Sequence, residues 1–210
     1  MSIVPKRKTG DTQDRILDAA EQLFVERGYS ATSLRAIANE AEVNLAATNY
    51  HFGTKEGLLA AVIHRHMHPV NEERIKRLSA LEESGHLPTL RNTLEALFYP
   101  LVDNLPNERL PAVMGRILSE PESLTRPIIT EEFAEVGIRF QTALSRALPV
   151  LSSEELAWRF HLMTGSMIHL LKFPTPIVPE GSDKQFRQAI EHLINYSIAG
   201  LSHGTENDRV

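Results

Sequence analysis

The sequence predicts an all-α protein, and three observations carry that prediction. Apolar residues recur every three or four positions along most of the 210 residues, as they do on one face of an α-helix. No segment alternates apolar and polar residues for the length of a β-strand, and no internal repeat is present. The segments with helical spacing are separated by short breaks that contain Pro or Gly. These observations predict a series of helices packed around an apolar core.

Three short helices are predicted first, followed by a long one. The apolar stripe of the first helix ends at Gly28, because glycine tolerates the left-handed conformation at a helix C-terminus. Asn44 and Thr54 are good N-cap residues for the third and fourth helices. The fourth helix continues past Pro69 with a kink. In order, these helices are predicted over residues 11–27, 33–41, 45–51 and 55–81.

Five further helices are predicted between breaks that carry proline. The segment 173–183, which has three prolines, is predicted to be a loop. The helices are predicted over residues 87–102, 108–120, 129–148, 153–172 and 186–201.

Composition and charge narrow the class of protein. With 42% hydrophobic residues the chain can bury a core, and the lack of cysteine excludes disulfides and thiolate metal sites, as is usual in a reducing cytosol. No stretch has the apolar length of a signal peptide or a membrane span. We therefore expect a soluble, cytoplasmic protein with no membrane partner. The net charge of −5 gives no general argument for nucleic-acid binding, so any such argument must be local.

The second and third predicted helices have the spacing of a helix-turn-helix. A three-residue connection lets two helices cross at a steep angle, and the small residues Ala38 and Ala41 let them pack closely. We expect Val43, Thr48 and Phe52 to face inward. The outward positions of the third helix are then Leu45, Ala46, Ala47 and Asn49. A helix with such small outward side chains fits a DNA groove.

These residue types match the chemistry of DNA recognition. Asn49 can pair with adenine, and Ala46 or Ala47 can contact a thymine methyl group. Tyr50 and His51 can donate to phosphates. The other expected contacts with the DNA backbone lie at the starts of the second and fourth helices: Thr32, Ser33, Arg35, Thr54 and Lys55. A generic helical hairpin has the same spacing, so the residues alone leave a packed hairpin as an alternative.

The segments "RILDAAEQLFVERGYSATS" and "TSLRAIANEAEVNLAATNYHFGTKEGLLAAVI" resemble the TetR family of transcriptional regulators over residues 12–63. The resemblance implies a homodimer with a three-helix DNA-binding head, a long fourth helix, and a helical domain for ligand binding and dimerisation. It also implies a repressor that occupies a palindromic operator and leaves it when an effector binds. The family's backbone contacts fall on Thr32, Ser33, Arg35, Tyr50, His51 and Lys55, and its base contacts on Leu45, Ala46, Ala47 and Asn49.

The chain departs from the family pattern in the turn, where glycine is usual and Glu42 stands here. If that residue is left-handed, glutamate costs about 1 kcal/mol. The resemblance divides the chain into four predicted parts. They are a basic flexible tail (1–10), a helix-turn-helix DNA-binding domain (11–54), a helical effector-binding and dimerisation domain (55–204), and a second tail (205–210).

Two late helices, at 153–172 and 186–201, are predicted to form the dimer interface. The first is apolar on more than one face, and Gly165 and Ser166 permit close backbone approach. The second carries a wide apolar stripe. A two-fold operator also favours a two-fold protein. The alternative is that both helices serve only the core of their own chain.

Large, soft side chains in the middle helices predict an apolar effector pocket. Its expected residues are Phe98, Leu101, Met114, Arg116, Ile117, Phe133, Arg139, Phe140, Met163 and Met167. Arg116 and Arg139 can meet a carboxylate or acyl-phosphate head, although each also suits a surface position. The apolar residues also suit a plain helical core. A diffuse similarity to the fatty-acid-sensing subset of the family favours a small apolar or fatty-acyl effector.

Other functions receive less support from the sequence. His64 and His68 lie one helical turn apart, but no third ligand has an obvious place beside them, so we expect no metal site. We find no nucleophile elbow, phosphate loop or paired carboxylates, and therefore expect neither catalytic residues nor a cofactor. A dimeric small-molecule-binding module without DNA binding remains as an alternative, favoured by Glu42 and the acidic balance.

Overall fold

The computed structural model describes residues 12–103, 110–173 and 184–203. Within these ranges there are ten α-helices and no β-strand, which confirms the all-α prediction. The helices are α1 (Thr12–Arg27), α2 (Leu34–Glu40), α3 (Leu45–Phe52), α4 (Lys55–Glu83), α5 (Leu90–Phe98), α6 (Pro100–Asp103), α7 (Leu110–Ile117), α8 (Glu122–Ala147), α9 (Ser153–Lys172) and α10 (Lys184–Ser202). Both predicted tails, and the predicted loop beyond Phe173, lie outside the described residues.

The chain divides into two compact units, one ending at His64 and the other beginning at Arg65. The sequence placed this division at the start of α4, ten residues earlier. The first turns of α4 belong with the head because they contribute to its core: Leu58 and Val62 are fully buried there. We call the unit up to His64 the head and the unit from Arg65 the effector unit.

The head is a small helical core, and long-range hydrogen bonds connect its helices. Ile16 on α1 and Ile37 on α2 are fully buried together with the first turns of α4. The guanidinium of Arg15 donates to the backbone carbonyls of Ala41 and Glu42, across 26 and 27 residues of sequence. This clamp ties α1 to the turn between α2 and α3.

The effector unit is built from α5 to α10, together with the later part of α4. In it, α7 packs on α9, α10 packs on α5 and α9, and α8 packs on α5 and α9. Gly115 allows the close approach of α7 and α9, because a Cβ at that position would lie 2.6 Å from the carbonyl oxygen of Leu171. Phe98 and Phe140 are fully buried in this unit.

Two predicted helices in the effector unit have different bounds in the structure. The helix predicted over 87–102 is divided at Tyr99 into α5 and α6. The helix predicted from residue 129 begins at Glu122, so that Pro127 lies inside it. Proline early in a helix removes only one backbone hydrogen bond, to the carbonyl four residues before it, and the helix tolerates that loss. Among the described residues, no helix has both the length and the apolar character that crossing a membrane requires.

Candidate functional sites

The short helix α3 is held at both ends by local hydrogen bonds. The side chain of Asn44 accepts a hydrogen bond from the backbone N–H of Ala47 at 2.7 Å, as a helix N-cap does. At the other end Gly53 has φ 68° and donates its N–H to the carbonyl of Asn49. A helix of eight residues is marginal alone, so these caps and the packing beneath it fix its position.

One face of α3 points away from the head core, as the sequence predicts. Leu45, Ala46 and Asn49 are exposed, and Ala47 is half-buried. On the opposite face Thr48 is fully buried. Apart from Tyr50 and His51 near its end, the helix therefore presents a nearly flat outer surface whose polar side chain is Asn49. Such a surface can approach base edges in a major groove.

The turn before α3 contains a left-handed glutamate. Glu42 has φ 55°, and it is the one residue other than glycine with positive φ among the described residues. The condition under which glutamate is costly at this position, a left-handed backbone, is therefore met. Because an L-residue with a Cβ pays about 1–2 kcal/mol in this region, the turn holds strain that glycine would not have.

We expect Glu42→Gly to raise the free energy of unfolding by about 0.5–1 kcal/mol, since the strain released exceeds the extra flexibility that glycine gives the unfolded chain. Urea unfolding followed by circular dichroism measures this change. The same substitution at Glu40, which lies in α2, is a matched control and should lower stability by about 0.5–1 kcal/mol. A destabilised Glu42→Gly variant would show that the contacts of the Glu42 side chain outweigh the backbone strain.

Several side chains that can donate to phosphates surround the exposed face of α3. Tyr50 is 86% exposed, and its ring meets the exposed ring of His51 edge to face at 5.3 Å. Arg35 and Ser33 are exposed at the start of α2. Ser33 also caps α2 by accepting a hydrogen bond from the N–H of Ala36 at 3.1 Å.

Thr54 is exposed at the start of α4, where its hydroxyl accepts a hydrogen bond from the N–H of Gly57 at 3.0 Å. Its side chain therefore caps α4, and any contact with DNA would be additional to that role. Gly57 is needed here, because a Cβ at this position would lie 2.4 Å from the carbonyl oxygen of Phe52.

The side chains of two residues expected to contact DNA form hydrogen bonds within the head itself. Thr32 is buried, and its hydroxyl donates to the carbonyls of Leu23 and Gly28 at 3.1 and 2.8 Å, so its side chain is not available to a phosphate. Lys55 is half-buried and donates to the carbonyls of Tyr29 and Thr32 at 3.0 and 2.9 Å. Its ammonium group also lies 4.0 Å from the centre of the Tyr29 ring. The side chain of Thr32 is thus bound inside the head, and Lys55 connects the start of α4 to the segment that follows α1.

The effector unit encloses an apolar cavity of about 120 Å³. Five of the ten predicted pocket residues line it: Phe98, Met114, Phe133, Met163 and Met167. The sequence missed eleven lining residues: Met67, Arg74, Leu97, Leu118, Ile129, Val136, Gly137, Phe160, Thr164, Ile168 and Leu171. The cavity thus lies between α4, α5, α7, α8 and α9.

The other five predicted pocket residues lie elsewhere. Leu101, Ile117 and Phe140 are buried, but they pack in the core outside the cavity wall. Arg116 is exposed. Arg139 donates to Glu82 at 2.8 Å and to the Ser79 hydroxyl at 3.2 Å, so it forms a surface ion pair. Neither predicted arginine is placed to meet a ligand in this cavity.

Arg74 is the charged residue that the cavity wall contains. It is 1% exposed and its Nε donates to the carbonyl of Leu97 at 2.8 Å. The sequence contains a signal for this position: Met67, Val70, Arg74 and Leu78 follow one another at helical spacing, and all four are buried. A charged residue in the middle of such a stripe is expected on the inner face of its helix.

The expectation that no carboxylate lies beside the histidines of α4 is wrong for His68. A carboxylate oxygen of Glu132 lies within 4.8 Å of a ring nitrogen of His68. His68 also lies 3.5 Å from Glu72, and both histidine and glutamate are well exposed in this pair. These are the contacts of a solvated surface cluster.

The outer face of α9 and α10 carries exposed apolar side chains. Trp158 is 60% exposed and Leu162 65% exposed on α9, and Tyr196 is 68% exposed on α10. Gly165, one turn beyond Leu162, is exposed as well. The apolar stripe predicted on α10 is instead used inside the chain, since Ile190, Leu193, Ile194 and Leu201 are buried. The face left for a partner is therefore the opposite side of α10.

The head and the effector unit each match a model of a known protein family. A family model described as "Bacterial regulatory proteins, tetR family" matches residues 16–62, and one described as "Tetracyclin repressor-like, C-terminal domain" matches residues 95–200. The HTH-type transcriptional regulator SrpR of Pseudomonas putida is 27% identical over 146 residues, which are 64% of this chain and 68% of SrpR. The chain spans about half the length of other curated regulators that it matches.

Solved structures share the fold. The SmeT–triclosan complex has a TM-score of 0.65 and 20% identity, with 95% of this chain and 96% of that chain covered. The fatty acid degradation regulator FadR from Bacillus halodurans also has a TM-score of 0.65, with 17% identity and coverage of 96% and 100%. At such identities the likeness concerns the fold alone.

Proposed function

Because the chain belongs to the TetR family of ligand-responsive, DNA-binding transcriptional regulators, we propose that it represses transcription by placing α3 in the major groove of a palindromic operator. The family match points to a regulator rather than an enzyme. The observation that carries the proposal is the flat, exposed face of α3, held by caps at both ends. A regulator acts where the DNA lies, so we propose a cytoplasmic location.

We assign two roles to residues at the outer surface of the head. Leu45, Ala46, Ala47 and Asn49 form the base-reading surface, with Asn49 as the residue that hydrogen-bonds a base. The residues that position the head on the DNA backbone are Ser33, Arg35, Tyr50 and His51, with Thr54 at the first turn of α4. Exposure and donor chemistry support both assignments.

The two roles predict different effects of two alanine substitutions. Tyr50→Ala should weaken binding by a similar factor, about tenfold, on operator DNA and on scrambled DNA, since it removes a backbone contact. Asn49→Ala should weaken operator binding by about tenfold and leave scrambled DNA unaffected, since it removes a base contact. Gel shifts with the DNA that flanks the gene, across a salt series and with scrambled competitor, measure both. Equal effects of the two substitutions on every DNA would overturn the assignment of roles.

We propose that the regulator is a homodimer that pairs through α9 and α10. The exposed side chains of Trp158, Leu162 and Tyr196 support this, since apolar groups of this size at one face are typical of an interface. Family members act as dimers, and an operator with two half-sites about 34–36 Å apart needs two heads. The residues of each helix that face its own core take no part in this contact.

We propose that the effector binds in the cavity of the effector unit and is small and largely apolar. The cavity wall is made of aliphatic, aromatic and methionine side chains, apart from Arg74 and Thr164. Since an apolar cavity of about 150 Å³ accommodates a benzene ring, this cavity of about 120 Å³ sets an upper limit of one ring or a short alkyl chain, and a long fatty-acyl chain requires the helices to move. SmeT, which shares the fold, has a solved structure as a complex with triclosan. Met67 and Arg74 place α4 in the cavity wall, and α4 also supplies core residues to the head. An effector that binds better to one arrangement of α4 would shift the population of DNA-binding dimers.

A dimeric small-molecule-binding module without DNA binding is the second candidate, and Glu42 favours it. A strained, negatively charged turn beside α3 weakens attraction to phosphates. The gel shift separates the candidates: a specific, salt-sensitive shift at dimer stoichiometry supports the regulator, and a folded dimer that shifts no DNA at low salt supports the module.

A further inference from the structure

The cavity of the effector unit contains a buried positive charge. Arg74 lies on α4, is 1% exposed and lines the cavity. Every other lining residue among the described part of the chain is uncharged, and the one other polar side chain, Thr164, donates its hydroxyl to the carbonyl of Phe160. Arg74 is therefore the sole charged residue among those lining the cavity, and its guanidinium lies 5.7 Å from the centre of the Phe133 ring, which also lines it.

The partners of this guanidinium are neutral. Nε donates to the carbonyl of Leu97, Nη1 donates to the side-chain oxygen of Asn71 at 2.9 Å, and Nη2 points at the sulfur of Met167 at 3.7 Å. A thioether is a weak acceptor, so the end of the guanidinium nearest Met167 is the least well satisfied. These contacts use three of the five N–H groups of the side chain.

No carboxylate within the described residues forms an ion pair with Arg74. The nearest carboxylate in its hydrogen-bond network is that of Glu132, which Asn71 reaches at 3.3 Å and which is therefore one residue removed. Burial lowers the pKa of Arg74 from 12.5 to about 9, which leaves it protonated at neutral pH. A buried cation without an anion is costly, and a perturbed charged group that lines a cavity is a candidate for ligand binding.

We infer that the effector is a small organic acid whose carboxylate pairs with Arg74 while its apolar body fills the cavity. This inference rests on the proposed function and names its ligand class. A carboxylate can take two parallel hydrogen bonds from the guanidinium, which a neutral ligand cannot match, and it compensates the buried charge. The size of the cavity selects acids with one ring or a short alkyl chain.

Arg74 also has a structural contribution, because its bond to Leu97 ties α4 to the last turn of α5. The partial negative charge at that helix end stabilises the cation to a limited extent. This contribution alone predicts no preference between a charged and a neutral ligand of the same shape. The ratio of the affinities for a charged and a neutral ligand therefore distinguishes ligand binding by Arg74 from a purely structural role.

The experiment compares benzoate with benzyl alcohol, which have the same ring and differ in charge. Isothermal titration of the full-length protein at pH 7 is expected to show benzoate binding at least about tenfold more tightly than benzyl alcohol. In Arg74→Met, whose side chain is apolar and of similar length, the preference should vanish while benzyl alcohol still binds. Arg139→Met removes a surface arginine that is paired with Glu82, and should keep the wild-type preference.

Equal affinity of the wild-type protein for the two compounds, no binding of benzoate, or a preference that survives in Arg74→Met would each overturn the inference.

If Arg74→Met does not fold, as judged by its circular dichroism melt, Arg74→Lys takes its place. Lysine keeps the charge without the planar fork, so benzoate should remain preferred with a several-fold loss of affinity, and an unchanged benzoate affinity would count against the paired geometry. Gel shifts without ligand test the DNA-binding function separately, so a missing benzoate preference beside a specific DNA shift rejects the acid and leaves the regulator in place.

Discussion

Leu162→Asp is expected to convert the dimer to monomers and to weaken operator binding by about 100-fold or more. Leu162 lies in the middle of α9 and is 65% exposed in a single chain. In the proposed interface two copies of this side chain and of Trp158 are buried across the two-fold axis, where a carboxylate would be desolvated without a partner. Operator binding then falls because one head on one half-site lacks the gain that comes from linking two heads.

Sedimentation velocity measures the oligomeric state, and a gel shift on the operator measures affinity. Ile138→Asp is the matched control, because Ile138 is 68% exposed and lies on α8, outside the proposed interface. That variant should remain a dimer with unchanged affinity. A dimeric Leu162→Asp variant, or a monomeric Ile138→Asp variant, would place the interface on another face.

The head could be predicted from the sequence because its signals are local. Asn44 and the N–H that it caps are three residues apart, and Gly28, which ends α1, has φ 83°. The resemblance indicated that glycine is usual in the turn, and Glu42, which stands there, is left-handed. Residue type and spacing are enough to predict short-range hydrogen bonds of this kind, so the rest of the fold need not be known.

The effector unit was harder to predict, because its element bounds depend on packing. The apolar spacing runs through Tyr99 without a break, although α5 ends there and α6 follows. Pro127 indicated a helix boundary, but Pro121 precedes the helix and Pro127 lies within its second turn. The apolar stripe of α10 did not reveal whether its partner was the same chain or a second copy, and the buried residues show that it is the same chain.

The roles of the long, positively charged side chains were the hardest feature of the two candidate sites to predict from the sequence. Arg74 and Lys55 both lie in a helix rich in charged residues, where solvated side chains are the usual outcome. Each donates to a backbone carbonyl group more than 20 residues away, Leu97 for Arg74 and Tyr29 for Lys55. Such contacts form only in the folded chain, so a family position can identify Lys55 as important without identifying what it binds.

Lys55→Met is expected to lower the free energy of unfolding by about 2–3 kcal/mol, because it removes two hydrogen bonds and a cation–π contact at once. Lys55 donates to the carbonyls of Tyr29 and Thr32, which follow α1, and its ammonium group lies over the Tyr29 ring. Methionine keeps the aliphatic stem and leaves both carbonyls without that donor. Urea unfolding followed by circular dichroism measures the loss, and operator affinity should fall with it because the head is less often folded.

A phosphate contact at Lys55 would give a different pattern. Removing a cation that neutralises one phosphate lowers the slope of log affinity against log salt by about 1 for each protomer and leaves stability within about 0.5 kcal/mol. Arg35→Met is expected to show that pattern, because Arg35 is exposed at the start of α2. Lys55→Met should show the opposite one, with a large loss of stability and a small change in slope, since at most one of its three N–H groups is left for a phosphate. If Lys55→Met leaves the free energy of unfolding unchanged and lowers the slope of log affinity against log salt, Lys55 contacts a DNA phosphate and its bonds within the head are dispensable.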